Sequence, residues 1–216
     1  MSTTENREAA FIGHITAGAT HELRNVLAII KESTGLIADI VKSGDGTAPP
    51  KAEKLMRATG RIEAQVKRGS DLLTNLNRFA HSLDLPEDDI LLDDAAQQLT
   101  FLCQRIARRG RHVLEVQAGE QGLRLEVNLL RLQLALYTAV ECCLEQLPEA
   151  GTLSIRPVRH GNRPSLEFSG DVGGEGVSFS PAETRAWSRL AAVLEDLGAS
   201  VEEVDSAQGF RLTLST

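Results

Sequence analysis

Along the first part of the chain, apolar or small residues recur at Ile12, Ile15, Ala19, Leu23, Val26, Ile30, Ile37 and Val41. Steps of three and four, at about 100° per residue, put them on one face of a helix. The pattern predicts one long helix over 7–43, with Gly35 as a weak point inside it. The run from Ser43 to Pro50, rich in Gly and Pro, breaks the pattern. A second helix is predicted over 51–82. Its stripe, Leu55, Ile62, Val66, Leu73, Leu76 and Ala80, is close to a heptad. Two long helices joined by a short turn make an antiparallel hairpin. One hairpin cannot cover both apolar faces, whereas two can, as a four-helix bundle. A homodimer is therefore expected.

The stretch 83–89 is acidic, contains Pro86 and separates two kinds of pattern. It reads as a linker between a helical domain, 1–83, and a second domain, 84–216. Beyond it the pattern predicts helix 91–109, strands 112–117 and 122–126, and helix 128–146. Strands 151–158 and 164–169, helix 182–197 and strands 200–205 and 209–214 follow. Turn signals at Glu149 to Gly151 and at His160 to Asn162 punctuate them. Helices mixed with hairpin-connected strands predict an α+β layer, with helices on one face of a sheet. No internal repeat interrupts this order.

The chain has 216 residues, 42% of them hydrophobic, enough to build a core on ordinary globular composition. A net charge of -7 argues against a nucleic-acid partner, which needs a clustered basic face. The basic cluster Arg105 to Arg111 reads as a solvated helix C-terminus. No apolar run approaches the ~20 residues that span a bilayer, and Met1 to Glu8 is too polar for a signal peptide. A cytoplasmic protein without a membrane partner is expected. Cys103, Cys142 and Cys143 form no Cys-x-x-Cys pair, so buried reduced thiols are expected and no metal site.

The candidate chemistry lies on the first helix. His21 points away from the apolar stripe, and Arg24 and Asn25 share its exposed side at i+3 and i+4. Ala17 and Gly18 in the preceding turn leave the imidazole open to a large partner. A neutral imidazole is a nucleophile near pH 7 and can carry a phosphoryl group. An adjacent carboxylate, here Glu22, can take or share the second ring proton. An amide such as Asn25 offers both donor and acceptor atoms. The segment His21-Glu22-Leu23-Arg24-Asn25-Val26-Leu27 resembles the phosphoacceptor box of two-component sensor histidine kinases, His-Glu-Leu-Arg-Asn-Pro-Leu, with Val26 in place of the proline. The resemblance implies a dimerisation and phosphotransfer hairpin followed by an ATP-binding domain of the kinase type. It implies that His21 is the phosphoacceptor and Glu22 its acid–base partner. It also implies that Asn25 can position water against a receiver's phospho-aspartate. His14, Ala17, Gly18 and Arg24 become candidate receiver-docking residues.

The resemblance weakens toward the C-terminus. Residues 132–147 align with the family's asparagine box, but Tyr137 and Glu141 replace the asparagines. Asp171, Gly173 and Gly176 resemble the first glycine box, one residue too long and with Glu175 inside it. Residues 177–181 lead almost directly into the last helix, where the family has an ATP lid and a second glycine box. The expectation is a histidine phosphotransfer protein that exchanges phosphoryl groups with receiver-domain aspartates and needs no cofactor of its own, with magnesium held by the receiver. An upstream hybrid kinase would supply it. A response-regulator phosphatase, an active kinase with an atypical nucleotide site and a non-catalytic receiver-binding adaptor stay open as alternatives.

Overall fold

Two long helices open the chain, α1 over Thr3–Lys42 and α2 over Pro49–His81. The computed structural model describes residues 3–43, 49–81, 87–204 and 209–214. Residues 44–48 of the expected break at 43–50, residue 82 of the expected helix 51–82, most of the expected linker at 83–89 and residue 205 of the expected strand 200–205 lie outside the described residues, while Pro49 and Pro50, expected in the break, begin α2.

The chain divides into two compact units, His14–Arg78 and Met1–Gly13 with Phe79–Thr216. In the first unit α1 and α2 pack along an antiparallel seam. Ile15, Ala19, Val26, Ser33 and Ile40 of α1 are buried, as are Ala58, Gly69 and Leu72 of α2. Gly69 allows close approach: a Cβ there would meet Val26 Cγ1 at 3.3 Å. The seam differs from the expected stripes. On α2 it follows Leu55, Ala58, Ile62, Gln65, Gly69, Leu72 and Leu76, all buried or half-buried, in the three–four alternation of a heptad. Val66 and Leu73, expected in the same stripe, are 56% and 54% exposed. Each sits one residue past a seam position. On α1, Leu27 follows the seam residue Val26 and is 64% exposed. In antiparallel helices, one step past the seam turns to the same flank of the hairpin on both. Leu27, Val66 and Leu73 therefore form an apolar strip on one flank.

The second unit is a two-layer α/β sandwich. Its main sheet runs β2-β4-β5-β8-β7, and β6 extends β5 beyond β8. The strands are β2 Val113–Val116, β4 Thr152–His160, β5 Arg163–Val172, β6 Glu175–Val177, β7 Ser200–Val204 and β8 Gly209–Thr213. A separate antiparallel pair joins β1, Asp88–Leu91, to β3, Arg124–Val127. The helices are α3 Leu92–Arg109, α4 Leu129–Gln146 and α5 Trp187–Leu197. Alternation along the strands sends Leu153, Ile155, Leu166, Phe168, Phe210 and Leu212 into the core beside Leu99, Cys103, Leu132 and Leu190. Phe168 and Phe210 stack across β5 and β8 at 4.8 Å. The opposite sheet face carries a charge ladder, Arg156–Glu167–Arg211–Glu202.

Local chemistry explains the element ends. Asn128 caps α4 by accepting from the Arg131 amide at 3.0 Å. Gly198 ends α5 in the left-handed region, φ 62. Arg108 and Arg109 lie in the last turn of α3, where the helix dipole favours cations.

The fold is the expected α+β order, two long helices and then an α/β sheet domain, with four corrections. Asp88 and Asp89, expected in the linker, begin strand β1. The strands expected at 112–117 and 122–126 belong to different sheets, and β2 runs parallel to β4. The helix expected at 182–197 is a 3₁₀ turn at Pro181–Glu183 and then α5. The glycine-rich piece at 170–176 is a hairpin joining β5 to β6.

Candidate functional site

The site is built on the middle turns of α1. His14, Gly18, His21 and Asn25 recur at steps of four, three and four, which align on one side of a helix. His14, His21 and Asn25 are exposed and Gly18 is half-buried; the flanking Ala17 and Arg24 are exposed. The structure thus gathers every α1 residue singled out in the sequence except Glu22. Val26, the substitute for proline, is buried in an unbroken helix.

Glu22 is turned into the seam, its side chain 16% exposed. Its Oε2 accepts from Arg68 Nη2 of α2 in a charge-assisted hydrogen bond. Arg68 precedes the seam residue Gly69, as His21 precedes Glu22 and Asn25 precedes Val26. One step before the seam turns to a common flank in antiparallel helices, so His21, Asn25 and Arg68 share it. The apolar strip of Leu27, Val66 and Leu73 lies on the other flank. Arg68 is the residue that the sequence reading missed. Its signal is an arginine on the second helix level with the box, visible only once the register of the hairpin is known.

The remaining sequence candidates are in the second unit and serve packing and turns. Tyr137 is buried, 5% exposed. Its ring lies 5.1 Å from that of Phe11, and Phe11 meets Phe79 edge-on at 5.5 Å. Burial, and next the Glu141 carboxylate, push the Tyr137 hydroxyl well above its ordinary range. Glu141 accepts from Arg189 Nη2 at 2.9 Å. Asp171 is exposed and its Oδ1 accepts from the Gly174 amide at 3.1 Å. Gly173 and Gly174 have φ of 65 and 92, the positive values that a tight two-residue hairpin turn requires. Gly176 pairs with Asp171 across that hairpin. Cys103, Cys142 and Cys143 are buried free thiols, and burial pushes all three upward in pKa. Among the described residues no group of His, Cys, Asp or Glu is arranged to hold a metal ion. No helix among them is long and apolar enough to cross a membrane.

No family model matches the chain, and no curated protein matches it. Among solved structures, the chain is similar to histidine kinases and to a phosphotransferase. A bacterial phosphotransferase aligns at 12% identity over 100% of this chain and 98% of its own, with a TM-score of 0.49. The Acinetobacter baumannii histidine kinase AdeS aligns at 14% identity over 90% of this chain and 97% of its own, TM-score 0.47. The histidine kinase ThkA, in complex with the response regulator protein TrrA, aligns at 18% identity over 95% of this chain and 61% of its own, TM-score 0.45.

Proposed function

We propose that this chain is a dimeric histidine phosphotransfer protein that passes phosphoryl groups between His21 and receiver-domain aspartates without using ATP. The observation that carries the reading is the exposed His21 on an unbroken helix, inside a phosphoacceptor-like box and beside a carboxylate held across the helix seam. In the forward step the unprotonated ring nitrogen of His21 attacks the phosphorus of a receiver's aspartyl phosphate. The N–P bond forms as the P–O bond to the aspartate breaks, and the carboxylate leaves with its electron pair. The proton on the other ring nitrogen passes to Glu22 or to solvent. Magnesium, held by the receiver, offsets the charge on the phosphoryl oxygens.

Three features support a body without nucleotide binding. Tyr137, where the family has an asparagine, is packed against Phe11. Glu141, at the family's metal-binding position, is paired with Arg189. The glycines of the expected box turn a hairpin, and only a short connection with a 3₁₀ turn separates β6 from α5. The apolar strip of Leu27, Val66 and Leu73 supports dimerisation through the hairpin, because a second copy can cover it in a four-helix bundle.

Asn25, exposed one turn beyond His21 on the same side, supports a second reading as a receiver phosphatase in which Glu22 and Asn25 position water. Phosphorylated receivers mixed with this protein separate the two. Phosphotransfer leaves acid-labile label on His21, whereas the phosphatase empties the receiver without a stable phosphohistidine.

A further inference from the structure

We infer that Arg68 is a positioning residue for phosphoryl transfer at His21, acting through Glu22; this rests on the reading of His21 as the phosphoacceptor. Neighbouring residues on a helix diverge by about 100°, so Glu22 has no built-in reason to face His21. A glutamate on an open helix surface would sample several rotamers, each in water. Here the carboxylate is fixed from the opposite helix. Arg68 donates to Oε2, the side chain of Glu22 is largely buried, and the bare backbone at Gly69 lets α2 approach α1 one turn away, at Val26.

Three physical consequences follow. Arginine stays protonated throughout the working pH range, so Glu22 faces a lasting cationic donor across the seam that fixes where its carboxyl group points. A carboxylate accepts at both oxygens, about four lone-pair positions in all, so the hold on Oε2 is compatible with a second donor. And Arg68 lies on the flank of the hairpin that His21 occupies, so its charge stands on the side where a phosphoryl group would arrive. The contribution of Arg68 is to orient the base. The hydrogen bond crosses between helices, so the acid–base partner of His21 depends on the hairpin being correctly registered.

The test uses the full chain and potassium phosphoramidate, a small phosphoryl donor that needs no receiver. The ring nitrogen of His21 attacks phosphorus, the donor's P–N bond breaks, ammonia leaves, and the second ring proton is released. The rate of labelling at His21, read by mass spectrometry of its peptide, is compared in wild type, R68Q, R68K, E22Q and the R68Q/E22Q double variant. Positioning of a general base predicts that R68Q labels about tenfold more slowly than wild type. R68K recovers part of the loss, because it keeps the charge but not the planar fork. The double variant is no slower than E22Q alone, because Arg68 acts only through Glu22. Helix content and sedimentation are expected to be unchanged in all four variants. Equal rates in wild type and R68Q overturn the inference, as does a double variant slowed by the product of the two single losses. Failure of the phosphotransfer reading is seen separately, as chemically phosphorylated wild type that passes no label to any receiver.

Discussion

The rings of Phe11 and Tyr137 lie 5.1 Å apart at an interplanar angle of 56°, joining the start of the first helix to the middle of α4. Phe79 closes the cluster edge-on against Phe11. Phe11 and Phe79 are almost completely buried, and aromatic pairs of this kind contribute about 0.5–1.5 kcal/mol beyond their burial. The cluster belongs to the α/β unit although two of its rings come from the long helices.

Phe11→Ala is therefore expected to destabilise the α/β unit. Loss of a buried phenylalanine costs roughly 3–5 kcal/mol. Urea unfolding followed by the fluorescence of Trp187 measures it; an unchanged midpoint would count against the packing role.

Glu167 gives a pH-dependent test. Burial pushes its carboxyl upward, but the hydrogen bonds and charges of Arg156 and Arg211 outweigh burial and hold it below its ordinary value. A carboxyl depressed in the folded state stabilises above its unfolded pKa, and the stabilisation is lost as pH falls through the folded value. Glu167→Gln is expected to cost roughly 2 kcal/mol at pH 7, the scale of hydrogen bonds to charged groups. The gap to wild type should begin to narrow below about pH 4, near the unfolded carboxyl pKa, and close only as pH falls further, through the lowered folded value. A gap independent of pH would show that packing, not charge, is lost.

The folding elements were legible where a period runs long. The 3.6-residue stripes of α1 and α2 and the turn signals between later strands mark most of the chain. What escaped has local causes. Strand β1 has four residues, two of them aspartates, and pairs with β3 far along the chain. Gly173 and Gly174 satisfy a hairpin turn with the same residues that a phosphate loop would use. The heptad of α2 carries apolar side chains at adjoining positions, so Val66 and Leu73 read as seam residues when Gly69 and Leu72 hold the seam. At the site, the box around His21 is contiguous and readable. Arg68 is not, because its role exists only across the register of two helices.

The apolar strip gives the third prediction. Placing a charge in it, by Leu27→Glu or Val66→Glu, should leave the helices intact and weaken a dimer, since an unpaired charge at a buried interface costs several kcal/mol. Sedimentation of wild type and each variant over a range of concentrations checks it. Variants as dimeric as wild type would place the interface elsewhere.

Nucleotide binding is the fourth. With Tyr137 packed, Glu141 paired and Asp171 in a turn, Mg-ATP should bind no tighter than the millimolar range. That is where the loss of ~4 kcal/mol from a micromolar site leads. Calorimetry with Mg-ATP reads it directly, and micromolar binding with label arriving on His21 would restore the kinase reading.

The central claim is that His21 receives the phosphoryl group. Wild type, His21→Gln and His14→Gln are each mixed with a receiver domain phosphorylated on its aspartate with labelled phosphate, and acid-labile label on this chain is followed in time. Label on wild type and His14→Gln, with none on His21→Gln, is the predicted result. Equal labelling of wild type and His21→Gln would contradict it.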